Sequence, residues 1–239
     1  MSKTDAPTIL GPEVYASWRA TTLGGVTEAV EQRLIFDMMG DLAGRRVLDA
    51  GCGDGALVLA AASRGADATG IDPNPAMLAA ARLRAQEARV PAIFSEGRVE
   101  RLPFPDAAFD VVTAVTVLCF VPNAAGAVRE MARVLRPGGR LILGELGRWS
   151  LWATIRRVRG WLSAGIWRDA RFRTAAELRG LIEQAGLSVT EVRGAVYYPP
   201  VGLLARVLAP FDPWLSGLTT FGAAFVAVGA VSDNRRRKE

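Results

Sequence analysis

Arg46-Val47-Leu48-Asp49-Ala50-Gly51-Cys52-Gly53-Asp54-Gly55-Ala56 is the stretch from which the rest of this chain can be read. Val47 and Leu48 close a short apolar strand. Glycines follow at alternate positions, Gly51, Gly53 and Gly55, and then an Ala/Leu-rich segment of helical character. A residue without Cβ lets a turn tighten at positive φ and lets backbone approach a ligand. A strand that feeds such a turn into a helix N-terminus is the layout of a nucleotide site. Gly51-x-Gly53-x-x-Ala56 also satisfies the relaxed dinucleotide fingerprint, so the loop alone leaves two cofactor classes open.

Around this loop the pattern alternates. Residues 15–42 carry a helical repeat (Val30, Leu34, Ile35, Met38) that Gly24-Gly25 is expected to break in two and Gly40 or Gly44 to end. Strands are expected at 46–50, 68–71, 91–94, 109–115 and 140–146. Helices are expected from Gly55 to about residue 63, at 76–88 and at 125–135, the last stopped by Pro137-Gly138-Gly139. Phe109 to Val115 is a continuous apolar run of the kind parallel sheets bury on both faces. Thr174 with Glu177 three residues on forms a capping-box pattern that opens a helix to residue 185, followed by a sixth strand at 187–193. Residues 147–173 show no strand, 194–219 read as irregular, and 221–231 as a last apolar strand. From Trp214 to Ser232 there is no charge, but the segment is full of Gly, Ala, Ser and Thr and barely reaches spanning length, so a buried strand is expected rather than a membrane span. Strand–helix alternation implies an α/β chain with helices on both faces of a parallel sheet.

Composition narrows the chemistry. At 239 residues and 50% hydrophobic content the chain suits one domain with a small cap. There is no histidine, which removes the commonest general base and metal ligand. Two cysteines, Cys52 and Cys119, make neither a disulfide framework nor a metal spacing, so no metal is expected and a reducing, cytoplasmic location is. The N-terminal residues lack the basic and apolar regions of a secretory signal. The net charge of +5 is partly local, in Arg235, Arg236, Arg237 and Lys238, which read as a solvated tail.

Two carboxylates bear on the choice of cofactor. Asp49, at the carboxyl end of the first strand, would repel a pyrophosphate but favour a cation. S-adenosyl-L-methionine offers an amino group and a sulfonium and no phosphate. Asp72, at the end of the second strand, is placed to accept hydrogen bonds from a ribose diol and suits either cofactor. An NAD-linked oxidoreductase is thus the alternative that Asp49 opposes.

With these residues in view, the chain resembles the class I S-adenosylmethionine-dependent methyltransferases, in particular the group that includes the ubiquinone/menaquinone C-methyltransferases. The resemblance rests on Val47 to Gly55, Gly70-Ile71-Asp72-Pro73, Leu102-Pro103-Phe104 followed by Phe109-Asp110-Val111-Val112, and Arg133 to Gly139, in order over residues 45–146. It implies a Rossmann-like, doubly wound, seven-stranded sheet whose antiparallel last strand inserts between strands five and six. It also implies an N-terminal helical lid over residues 1–44, carrying Tyr15 and Trp18, and a methyltransferase domain over 45–239. Segments 147–173 and 194–219 would be insertions on the substrate side. Carried over residue by residue, Asp49, Gly51, Cys52 and Gly53 would line the methionine end, Asp72 and Pro73 the ribose, Arg98 and Val99 the adenine, and Val115 and Thr116 the floor below the methyl group. Arg98 departs from the family, which has an acidic residue there; it cannot accept a hydrogen bond. A catalytically silent binding protein on this fold is a further alternative.

In-line methyl transfer draws on proximity and orientation. Without histidine, a proton acceptor must be a carboxylate or a tyrosine; Glu145 and then Tyr197 are the candidates, with Tyr198 beside it, and an acceptor already ionised would need none. Segment 147–173 holds four of the six tryptophans among many arginines. That mixture suits an amphipathic helix that packs its tryptophans on the core with solvated arginines outside, or a small anionic or lipophilic acceptor or a peripheral contact with a membrane, and nucleic acid is not expected as a partner.

Overall fold

The computed structural model describes residues 11–162, 167–168 and 170–233. Helices α1 (Pro12–Ala20) and α2 (Thr22–Met39) come first. An alternating series follows: β1 (Arg46–Ala50), α3 (Ala56–Ala62), β2 (Asp67–Asp72), α4 (Pro75–Ala88), β3 (Ile93–Glu96), β4 (Phe109–Val115), α5 (Ala124–Val134) and β5 (Leu135–Leu146). Then come α6 (Leu151–Leu162), α7 (Ala175–Gln184), β6 (Leu187–Ala195), the short α8 (Gly202–Leu208) and α9 (Asp212–Ser216), and β7 (Phe225–Ser232).

The strands form one seven-stranded sheet in the order β3-β2-β1-β4-β5-β7-β6. β7 runs antiparallel to both β5 and β6 and lies between them, as the resemblance implies. Consecutive residues of the central strands point to opposite faces. Val47, Val111, Ile142 and Ala227 join the helices α2, α3 and α4 in one core. Leu48, Val112, Leu141, Leu143 and Val228 join α5 and α7 in the other. That is why these strands read as continuous apolar runs rather than alternating ones. The strand order reverses between β1 and β4, so the crevice of the fold opens outside their carboxyl ends.

The motifs that carry the resemblance hold each other. Arg133 donates to the carbonyls of Leu102 and Phe104 at 3.0 and 2.8 Å and pairs with Asp106 and Glu130. Asp110 accepts from the Arg46 backbone N–H at 2.7 Å and pairs with Arg136 at 2.6 Å, stitching the start of β1 to the turn before the apolar part of β5.

Three details differ from the sequence expectation. The helical pattern at 15–42 breaks at Thr21, whose hydroxyl caps α2 by accepting from the Gly24 N–H at 3.0 Å. Gly24 is instead a contact glycine: a Cβ there would lie 2.0 Å from the Trp18 carbonyl oxygen. β5 begins at Leu135, so Pro137-Gly138-Gly139 lies within it instead of separating α5 from a strand at 140. Segment 147–173 contains α6, an amphipathic helix whose buried Trp152, Ala153 and Gly160 face inward, as its tryptophan–arginine mixture allowed. Segment 194–219, expected to be irregular, contains α8 and α9. Of the described helices, none is long and apolar enough to cross a membrane. The basic run at 235–238 lies outside the described residues.

Candidate active site

At the carboxyl end of β1, Gly51 turns the chain at φ +86°, and both Gly51 and Cys52 donate to the Ile71 carbonyl, at 2.7 and 2.9 Å. The loop is thereby tied across the end of β2. A Cβ on Gly51 would fall 2.4 Å from a Val117 methyl, so only glycine fits where this loop passes the chain leaving β4. Cys52 is buried beneath the loop against Gly70, and burial pushes its thiol up, so it is a packing group here.

Asp49 is 4% exposed, and its carboxylate accepts from the Thr113 hydroxyl at 2.8 Å. Burial, reinforced by the nearby Asp72 charge, pushes its pKa up to about 7 even with that hydrogen bond. Among the described residues no cation pairs with it, and a ligand ammonium would supply the missing counter-charge. Asp72 accepts from the backbone N–H groups of Gly53 and Asn74 at 2.9 and 2.8 Å, which fixes its carboxylate at the rim of the loop. Carboxylate oxygens accept more than one hydrogen bond, so Asp72 keeps capacity for a diol. Burial raises its pKa, and the two amides oppose the rise. These residues fit S-adenosylmethionine: a buried carboxylate for the amino group and a second, pre-oriented one for the ribose.

Pro73 is exposed beside Asp72, and Val99 is buried behind the loop after β3. Arg98 points to solvent and lies 3.5 Å from Glu100, away from any buried partner. Val115 and Thr116 end β4 half-buried; Thr116 adopts φ +55° and donates its N–H to the Gly144 carbonyl at 2.7 Å. This left-handed, β-branched residue swings the chain out of the sheet.

Glu145 then holds the next residues. Fully buried, it accepts from three consecutive backbone N–H groups, those of Val117, Leu118 and Cys119, at 3.0, 2.6 and 3.1 Å. Burial pushes its pKa up to about 7 against those bonds. The structure therefore brings Glu145 to the crevice with its carboxylate occupied by backbone. Tyr197 follows β6, two strands beyond β5, and its hydroxyl donates to the Thr219 carbonyl. Tyr198 is buried with its hydroxyl against that of Thr27 at 3.2 Å. Burial pushes both phenols up to about 12.

Asp54 was not singled out by the sequence reading. Its buried carboxylate in the glycine loop pairs with Arg84 of α4 at 3.0 Å and with Arg19 of α1, which also reaches Glu28 at 3.2 Å. The first helix is thereby fastened to the cofactor loop. The only sequence signal for this was an acidic residue between two glycines. Among the described residues no group of three or more His, Cys, Asp or Glu side chains is placed to hold a metal ion.

A sheet of this order with an acidic, glycine-lined crevice defines the class of methyl-donor-binding α/β proteins. Over 92% of its length the chain superimposes on 96% of an S-adenosylmethionine-dependent methyltransferase from Thermotoga maritima, with a TM-score of 0.70 at 23% identity. Residues 48–143 match a family model described as a methyltransferase domain. A ubiquinone biosynthesis O-methyltransferase of Pseudomonas aeruginosa is 37% identical over 173 residues, 69% of this chain and 73% of that protein. One from Alkalilimnicola ehrlichii is 44% identical over 115 residues, and the match spans about half of each chain, 48% of this one and 47% of that one. The chain belongs to the S-adenosylmethionine-dependent methyltransferase family. Neither the NAD-linked nor the silent alternative finds support among these relatives, and buried Asp49 opposes a pyrophosphate.

Proposed function

We propose that this protein transfers a methyl group from S-adenosylmethionine to an oxygen of a lipophilic, hydroxylated aromatic acceptor, a quinone precursor of the kind named for its relatives. The cofactor supplies an electrophilic methyl on a sulfonium. Asp49 would hold its amino group, Asp72 its ribose diol, and Gly51 and Gly53 allow its close approach. Glu145 serves by shaping the 117–119 turn beside the crevice, and Tyr197 by anchoring the chain after β6.

One observation carries the lipophilic part of this reading. Among the described residues, fourteen of the eighteen exposed large hydrophobic side chains fall between Trp149 and Phe221, on and around α6, α8 and α9, including Trp161, Leu203, Phe211, Trp214 and Phe221. Together they far exceed the scattered single apolar residues of an ordinary surface. Arg157, Arg159 and Arg206 stand among them. An apolar surface set with arginines suits the interface of an anionic membrane, where a lipophilic acceptor would be met. The purified protein incubated with methyl-labelled S-adenosylmethionine and bacterial lipid extract in vesicles should place label in a lipid-soluble aromatic product. Label confined to water-soluble products would overturn the lipophilic reading.

A further inference from the structure

Helix faces that meet the core should be apolar, and two are interrupted by charge. On α6 the inward stripe runs Trp152, Ala153, Arg156, Gly160, at helical spacing. On α2 it runs Thr27, Glu31, Leu34, Ile35, Met38. Glu31 and Arg156 thus occupy positions where these helices otherwise place core residues. Both side chains are partly buried rather than open to bulk water.

The guanidinium of Arg156 lies over Trp152 at 5.0 Å and over Trp167 at 4.7 Å from the ring centroids. Trp167 is itself stacked on Phe172. Among the described residues no carboxylate or carbonyl pairs with this guanidinium, so it is gripped through its faces while its N–H edge stays available. Tyr15 of α1, Glu31 and Cys119 lie within its electrostatic reach. Cys119 belongs to the turn that Glu145 holds beyond β4, so Arg156 stands near the end of β4 where the crevice of the methyl donor opens. Glu31 is faced by Arg156, Glu28 and Asp212, and Tyr15 and Tyr198 also feel its charge. It makes no hydrogen bond or ion pair with another described residue.

We propose that Glu31 and Arg156 form the acceptor subsite of the methyl transfer, Glu31 taking the proton of the acceptor hydroxyl and Arg156 binding the oxyanion that results. The proton passes from the acceptor oxygen to a Glu31 carboxylate oxygen first, and the oxyanion then attacks, its O–C bond forming as the S–CH3 bond of the donor breaks. The methyl donor leaves as the neutral thioether, and the Glu31 proton returns to solvent. Arg156 is then paired while the oxygen is charged, and the tryptophans that hold it also give an aromatic acceptor its walls. Burial pushes the Glu31 pKa up to about 8, against the opposing pull of Arg156, near the value at which a carboxylate is effective as a base.

This rests on the proposed oxygen methylation, and the test separates the two. Two acceptors are compared: an alkyl catechol, whose hydroxyls are neutral at pH 7, and 4-nitrocatechol, whose nitro group leaves it ionised there. Glu31→Gln should lower kcat for the alkyl catechol by about a hundredfold and for 4-nitrocatechol by less than about fivefold, with S-adenosylhomocysteine affinity unchanged. The wild-type rate on the alkyl catechol should rise with pH up to about 8, and the variant should lose that rise. Equal slowing of both acceptors would overturn the role of Glu31. Binding of 4-nitrocatechol to the S-adenosylhomocysteine complex, read from its phenolate absorption, decides the subsite even without turnover. Arg156→Met should weaken it at least tenfold. Unchanged binding in that variant, or none in the wild type, would overturn the subsite while leaving label transfer into lipid as a separate question.

Discussion

The two walls of the crevice are built on opposite principles. On the cofactor side, at the ends of β1 and β2, the carboxylates are anchored: Asp72 by two backbone amides, Asp49 by Thr113, Asp54 by two arginines. On the side proposed for the acceptor, around α1, α2 and α6, Glu31 and Arg156 are partly buried with no hydrogen-bonded partner among the described residues, and the helices beyond carry exposed tryptophan, leucine and phenylalanine. A fixed ligand of constant shape suits preorganised backbone and carboxylates. A lipophilic acceptor of varied form suits aromatic walls and a charge pair that its own hydroxyl completes. On the proposed assignment, recognition is rigid where the ligand is shared across a family and open where it is particular to one enzyme.

Substitutions can break this contrast, the cofactor side first. Gly51→Val should cost about 3–5 kcal/mol, from a positive φ and a clash with Val117, and abolish cofactor binding; thermal unfolding and calorimetry read both. Asp49→Asn should weaken S-adenosylhomocysteine by about 2–5 kcal/mol through loss of the ammonium's counter-charge. The same change should raise the Tm of the free protein by about 2–8 °C. The sign follows from the raised pKa. An unfolded Asp ionises near pH 4 and the folded one near 7, so the folded state holds the proton longer and loses stability as pH climbs through that window. For the same reason cofactor affinity in the wild type should rise about tenfold per pH unit up to about pH 7 and flatten above it, whereas Asp49→Asn should be level; calorimetry at pH 5.5 to 8 would show it.

Asp72→Ala should cost about 1–3 kcal/mol of cofactor affinity. Arg19→Gln should loosen α1 from the glycine loop, with faster amide exchange over residues 12–20 and a rise in acceptor KM of about three- to tenfold. Arg98→Gln should change cofactor affinity by less than about twofold, because its one ion pair is exposed. A large loss in that last variant would put adenine recognition where the apolar surface of Val99 is not sufficient.

Much of the cofactor side was legible because its chemistry is local in sequence. A strand end, a glycine turn and an aspartate within a few residues dictate their own geometry, and Asp49, Gly51, Gly53 and Asp72 meet where the reading put them. For Glu145 the sequence left a proton acceptor and a structural or substrate-orienting group both open, without showing what it would hold. Its three amide partners lie 26 to 28 positions away, across two strands, and only the sheet brings them under its carboxylate. Segment 147–173 was legible as an amphipathic helix, but only the fold shows Arg156 on its inward stripe, between Ala153 and Gly160. Asp54 passed as a turn residue because its partners Arg19 and Arg84 are 35 and 30 positions distant.

The strand–helix alternation, the doubly apolar strands and the charge beside the glycine loop were determined by the sequence alone, since apolar period, glycine spacing and the sign of a flanking charge act over short range; the strand order came only with the family resemblance. Which charges are paired and which are left half-buried without a partner was decided only by the tertiary structure. Burial and partnership depend on residues distant in the chain, and a carboxylate becomes an anchor or a proton acceptor according to what the fold packs around it.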